Sequence, residues 1–163
     1  REMFGGKKTW HDLNLACFLY DDNKNYIESI TENPDNATDD AIHVYHSGDS
    51  REGVGDGDDE QISVELKNLA PSVRHIIFVA SIKSGHTFKD IEAPEIRIGD
   101  GYSNHIFFET DIDKEAGKNR SVFVFVHIYR HEGGWRLHNI SEFLKAPDTE
   151  NNPDFMKKYL IVG

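Results

Sequence analysis

The chain of 163 residues holds one cysteine, Cys17, so no intrachain disulfide can form, and this usage fits the cytosol. Cys17 stands in the apolar stretch LNLACFLY, where it reads as a small buried hydrophobe before a reactive thiol. No Cys-x-x-Cys pair occurs, and structural zinc is not expected. Long apolar runs are missing too. The longest, IIFVA (76–80) and VFVFV (122–126), fall far short of the roughly 20 residues that a membrane-spanning helix needs. The start of the chain lacks the charged-then-apolar pattern of a signal peptide, and the expectation is a soluble, cytoplasmic protein. Positive charge is scarce: 18 Lys+Arg stand against 29 Asp+Glu, a net charge of -11. That balance repels phosphate backbones and anionic headgroups and attracts cations or basic partners, so direct nucleic-acid binding is not expected. No period of 20–50 residues repeats, which excludes solenoids and propellers. An initiator Met is lacking as well. REMFGGKKTW reads as a linker remnant of a longer chain over residues 1–9, followed by a single domain over 10–163.

What is present is a series of short β-branched and aromatic segments separated by turn residues. The candidate strands are 14–20, 41–46, 61–66, 75–83, 93–99, 104–110, 121–130 and 134–140. They are broken by DDNKN (21–25), the polar insert ENPDNATDD (32–40), GDGYSN (99–104), KEAGKN (114–119) and HEGG (131–134). Ile62, Val64 and Leu66 alternate with Gln61, Ser63 and Glu65, the pattern of a sheet with one wet face. Strands spaced this way predict an all-β sandwich or barrel. Helix signals are short: ISEFLKA (140–146), and NPDFMKKYL (152–160) with Asn152 as cap and Pro153 at the first helical position.

The segment HSGDSREGVGDGDDEQISVEL (46–66) carries the chemistry. It places Asp49, Glu52, Asp56, Asp58, Asp59 and Glu60 around three glycines just before a strand. A charge run is ordinarily a solvated loop. Here the carboxylates alternate with glycines, which let a loop curl so that several oxygens converge, and calcium takes roughly six to eight of them. Asp56, Asp58 and Glu60 stand at every second position, so an extended backbone points them to one side. Arg51 is the loop's one compensating positive charge, so a metal would neutralise what internal pairing cannot. Known calcium loops do not match. Counted from Asp56, the helix-loop-helix pattern needs glycine and glutamate where Gln61 and Lys67 stand. GVGDGD is similar to one turn of a glycine-aspartate β-roll, but a lone copy cannot build that structure.

The same residues resemble the signature of the TerD family of tellurium-resistance and stress-response proteins. Its run reads about as H-(T/S)-G-D-N-x-T-G-x-G-x-G-D-D-E, followed by an apolar strand. His46, Gly48, Asp49, Gly53, Gly55, Gly57, Asp58, Asp59 and Glu60 stand at the matching positions. DLNLACFLYD (12–21) is similar to the family's DLDASAFLLD, PSVRHIIFVASI (71–82) to V-x-x-I-V-F-x-V, EIRIGDG (95–101) to I-R-I-x-D, and VHIYRHEGGWRLHNI (126–140) to L-Y-R-x-x-G-x-W-x-x-x-A-I. The resemblance covers residues 10–141. Asn14 and Ala16 depart from it where the family has Asp and Ser; Asn14 keeps an oxygen and loses a charge. The insert at 32–40 and the missing strands before a Gly-Trp-Asp segment are further departures.

The resemblance implies a mainly all-β fold, a β-sandwich of two antiparallel or mixed sheets with one or two short helices. It implies calcium, about two ions, bound at one edge. It also implies a cytoplasmic protein tied to resistance against tellurite, phage, colicins or other stress, peripheral at the inner membrane, with other Ter-type proteins or a membrane-associated complex as partners. No enzymatic activity is implied. On this reading Asp12 and Asn14 converge with Asp49, Glu52, Asp56, Asp58, Asp59 and Glu60 around calcium. Two alternatives use the same loop: a metal-dependent hydrolase holding Mg²⁺ or Mn²⁺, and a calcium-dependent membrane-docking module, for which Val54 is the one apolar loop residue. Asp100 could complete a metal shell. His127 and His131, four apart on a strand, share a side with Tyr129 and read as surface or half-buried histidines, while Trp10 and Trp135 read as core or strand-capping residues.

Overall fold

The computed structural model describes residues 13–31, 44–46, 62–82, 87, 95–100, 106–111, 113, 115–144 and 152–160. Nine strands run through them: β1 Leu13–Tyr20, β2 Tyr26–Ile30, β3 Val44–His46, β4 Ile62–Val64, β5 His75–Ile82, β6 Glu95–Asp100, β7 Ile106–Asp111, β8 Val122–His131 and β9 Gly134–Leu144. One short helix, α1 Pro153–Met156, continues into a 3-10 turn over Lys157–Tyr159. The protein is mostly β. Five strands form an antiparallel sheet in the order β2-β1-β5-β8-β9, and β3-β4-β6-β7 form a second sheet in which β4 and β6 run parallel.

The two longest apolar runs are the central strands of the five-stranded sheet. All of β5 and the first seven residues of β8 are buried, as expected of strands covered on both faces. One face gathers Leu15, Cys17, Leu19, Ile76, Phe78, Ala80, Phe123 and Phe125. The other gathers Phe18, Tyr20, Ile77, Val79, Val122 and Val124, and it is closed by Met156, Tyr159 and Leu160 of the C-terminal segment. Cys17 is buried with no exposed surface, as its apolar context predicted.

Three local expectations meet corrections. The segment 140–144 is not helical, because its backbone completes β9, pairing Phe143 with Phe123 and Leu144 with Val122. Its apolar residues, spaced like a helical stripe, divide between the two sides of the sheet: Phe143 joins one core and Ile140 with Leu144 the other. Strand β2, YIESI, is an addition to the eight candidates. It pairs with β1 across a turn in which Asp21 Oδ1 accepts from the amides of Asn23 and Asn25, while Lys24 takes a left-handed φ of 66°. His127, third, is wholly buried.

Which face His127 takes is set by a bulge. Val79 pairs with Val124 and Phe78 with Val126, so Phe125 is an extra residue in β8. Phe125 and Val126 both join the first core, and the alternation that follows turns His127, Tyr129 and His131 to the face of His75. At the C-terminus the expected cap is in place: Asn152 Oδ1 accepts from the Phe155 amide at 3.1 Å, with Pro153 opening the helix.

Candidate functional site

Antiparallel pairing of β3 with β4 sets His46 opposite Ile62. The acidic segment 47–61 therefore leaves the second sheet and returns to it at neighbouring positions, about 5 Å apart. From Ile62 the strand runs beside β6, pairing Ile62 with Ile98 and Val64 with Asp100. Asp100 thus stands two residues further along than the point where the acidic segment rejoins the sheet, a displacement of roughly 7 Å. Strands β6 and β7 pair antiparallel; of the expected turn GDGYSN, Gly99 and Asp100 belong to β6 and 101–104 lie outside the described residues.

Of the eight candidate ligands, Asp12, Asp49, Glu52, Asp56, Asp58, Asp59 and Glu60 lie outside the described residues. The backbone of Asn14 lies in β1 opposite Ser81. Val54 and Trp10 are outside as well, as is the insert at 32–40. Among the described residues no group of three or more His, Cys, Asp or Glu is gathered in a way that could hold a metal.

The described chemistry is concentrated instead on the second face of the five-stranded sheet. His75 Nδ1 and His127 Nε2 lie 3.0 Å apart, one nitrogen donating to the other, with the rings stacked at 5.2 Å. Tyr129 stacks on His127 at 4.8 Å, and His131 meets Tyr129 edge-on before its Nε2 reaches Glu132 at 3.1 Å. Burial lowers the pKa of His75 and pushes that of His127 down to about 3. Sequence reasoning placed His127, Tyr129 and His131 on one side but missed His75, because the β8 bulge decides which side that is.

On the opposite side of β8, Arg130 fixes the connection that leads into β5. Its Nε donates to the Val73 carbonyl at 2.7 Å and its Nη2 to those of Leu69 and Ala70 at 3.2 and 3.1 Å. Its guanidinium lies 4.4 Å from the centre of the Trp135 ring, which is half-buried against the first core. Of the two roles expected of Trp135, core or strand cap, the packing against the core is the one seen.

Residues 5–146 match the TerD domain. Tellurium resistance protein TerZ of Serratia marcescens is 37% identical over 98 residues, covering 60% of this chain and 49% of the relative. Tellurium resistance protein TerX of the same organism is 29% identical over 162 residues, covering 86% of this chain and 74% of the relative. The chain spans about half the length of TerZ and of tellurium resistance protein TerD of Serratia marcescens, 49% and 53%. In fold, the chain is similar to a crystal structure of a homologue of telluride resistance protein from Streptomyces coelicolor A3(2), with a TM-score of 0.70 and 18% identity over 94% of this chain and 88% of that one.

Proposed function

The chain belongs to the TerD family, and from that premise we propose that it is a calcium-binding module of the stress-response type, whose segment 47–61 is ordered by the ion. The observation that carries this reading is the pairing of His46 with Ile62. Six carboxylates and their glycines sit between two anchored ends, so the sheet has already restricted the chain entropy that convergence on an ion would otherwise cost. Repulsion among those carboxylates, offset within the run by Arg51 alone, favours a divalent cation of high coordination number. Asp12 and Asn14, at the entry to β1, complete the proposed ligand set, with two ions as its capacity.

The proposed fold is a sandwich in which the second sheet covers the first core of the five-stranded sheet. Support comes from that core itself: Cys17, Leu19 and Ile76 have no exposed surface, while the C-terminal segment closes only the opposite face. The module acts by binding rather than by catalysis, and calcium presents the ordered loop to partners in a cytoplasmic stress-resistance assembly, with other Ter-type proteins or a membrane-associated complex. The names of TerZ and TerX support the tellurium-resistance context. Among the described residues no helix is long and apolar enough to cross a membrane.

Thermal unfolding of chelator-stripped protein, titrated separately with Ca²⁺ and Mg²⁺, tests the reading. A calcium-selective rise in Tm that grows with the logarithm of concentration, and is lost in D58N/D59N, is the expected result. Equal responses to both ions would favour the hydrolase alternative, and no response to either would leave the segment a solvated acidic loop.

A further inference from the structure

The His75–His127 hydrogen bond needs a lone pair on one of its two facing nitrogens. A neutral pair has one. A doubly protonated pair has none, and two cations would then face each other at 3.0 Å in a buried site. The register shows what this pair adjoins. Tyr20 is the β1 partner of His75, and its hydroxyl donates to the Pro153 carbonyl at 2.6 Å. Ile77 is the β5 partner of His127, and it packs in one core with Met156, Tyr159 and Leu160. Both histidines are therefore next to the residues on which the C-terminal segment docks.

We propose that the His75–His127 pair is an acid-sensitive latch: protonating it loosens residues 152–160 from the sheet while the central strands remain paired. Among the described residues, the charged and titratable groups around the pair are Asp21, Asp22 and Lys24 in the β1–β2 turn, Arg74 ahead of β5, Tyr129 beside it and His138 across on β9. Lys24, Arg74 and His138 oppose a proton, while Asp21 and Asp22 favour one on His75. On the docked segment itself, Asp154 and Lys158 are exposed and Lys157 Nζ lies 3.3 Å from Asp154. Burial outweighs the nearby carboxylates and holds both imidazoles below their ordinary range.

The sign follows from linkage. The docked state binds a proton less readily than an opened state, so docking is at full strength above about pH 6.5 and weakens as pH falls towards the docked values. Freeing one such histidine to an ordinary pKa raises the opening constant on the order of tenfold between pH 7 and pH 5.

Hydrogen exchange on the full chain at fixed calcium, corrected for the intrinsic rate at each pH, reads this directly. Protection of the Phe155, Met156 and Leu160 amides is expected to fall on the order of tenfold from pH 7 to pH 5, with β5 and β8 amides retained. His127→Gln leaves one titratable ring and should blunt the fall. Unchanged protection, a fall spread evenly over the sheet, or the same fall in the variant would overturn the proposal. Imidazole nitrogen NMR of the unaltered protein supplies a second reading that needs no variant. Both rings must stay neutral well below pH 6.5 while the segment is docked, and ordinary titration of either would overturn the latch.

Discussion

Tyr20 Oη donates a hydrogen bond of 2.6 Å to the carbonyl of Pro153, joining the first strand to the last helix across 133 positions of sequence. Burial, with smaller contributions from Tyr26 and Asp154, holds this phenol protonated well above its usual range, so the donor persists at any physiological pH. The bond ties the C-terminal segment 152–160 to β1.

Tyr20→Phe keeps the buried ring and removes the donor. The expected loss is about 1 kcal/mol in urea unfolding, with faster exchange confined to residues 152–160. A loss shared evenly by every strand would mean that the bond supports the whole sheet.

Asn152→Ala removes the oxygen that accepts from the Phe155 amide. Loss of the cap should cost about 1 kcal/mol, and Asn152→Asp should retain the acceptor and recover most of it. Denaturant midpoints of the three proteins check the order.

Arg130→Lys keeps a positive charge but not the planar fork that reaches three carbonyls and the Trp135 ring. Its expected cost is about 1.5–3 kcal/mol, together with altered Trp135 fluorescence in the native state. A variant as stable as the parent would show that water replaces the fork.

Ile77→Ala opens a cavity between β5 and the C-terminal segment, where Ile77 has no exposed surface. The expected loss is about 2–5 kcal/mol, measured by chemical unfolding.

Asn14→Asp returns the charge that the TerD pattern carries at this place. If Asn14 belongs to the proposed calcium shell, added ligand charge should tighten Ca²⁺ binding in calorimetric titration. A weaker or unchanged affinity would remove Asn14 from that shell.

The strands at the centre of the sheet were legible because IIFVA and VFVFV are too apolar for any place with a wet face. The TerD signature was legible for a different reason: its glycines and carboxylates are spaced by the demands of backbone and charge rather than by packing. What stayed hidden was relational. Which side of the sheet His127 takes depends on one inserted residue, Phe125, and insertion is a property of the pairing of β8 with β5 rather than of either strand alone. Residues 140–144 carry helical spacing, yet pairing with β8 overrides it. YIESI is too short and too polar to announce β2, and it is specified instead by the hairpin turn whose amides Asp21 satisfies.

The adjacency of His46 and Ile62 also gives the acidic segment the character of an interchangeable cartridge. Because both its ends are fixed by pairing that the segment does not itself supply, its length and ligands can vary with little demand on strand register. On the proposed calcium reading, exchanging residues 47–61 for a loop of different coordination number would retune ion preference while the sheets keep their order, a route by which one scaffold could serve different ions.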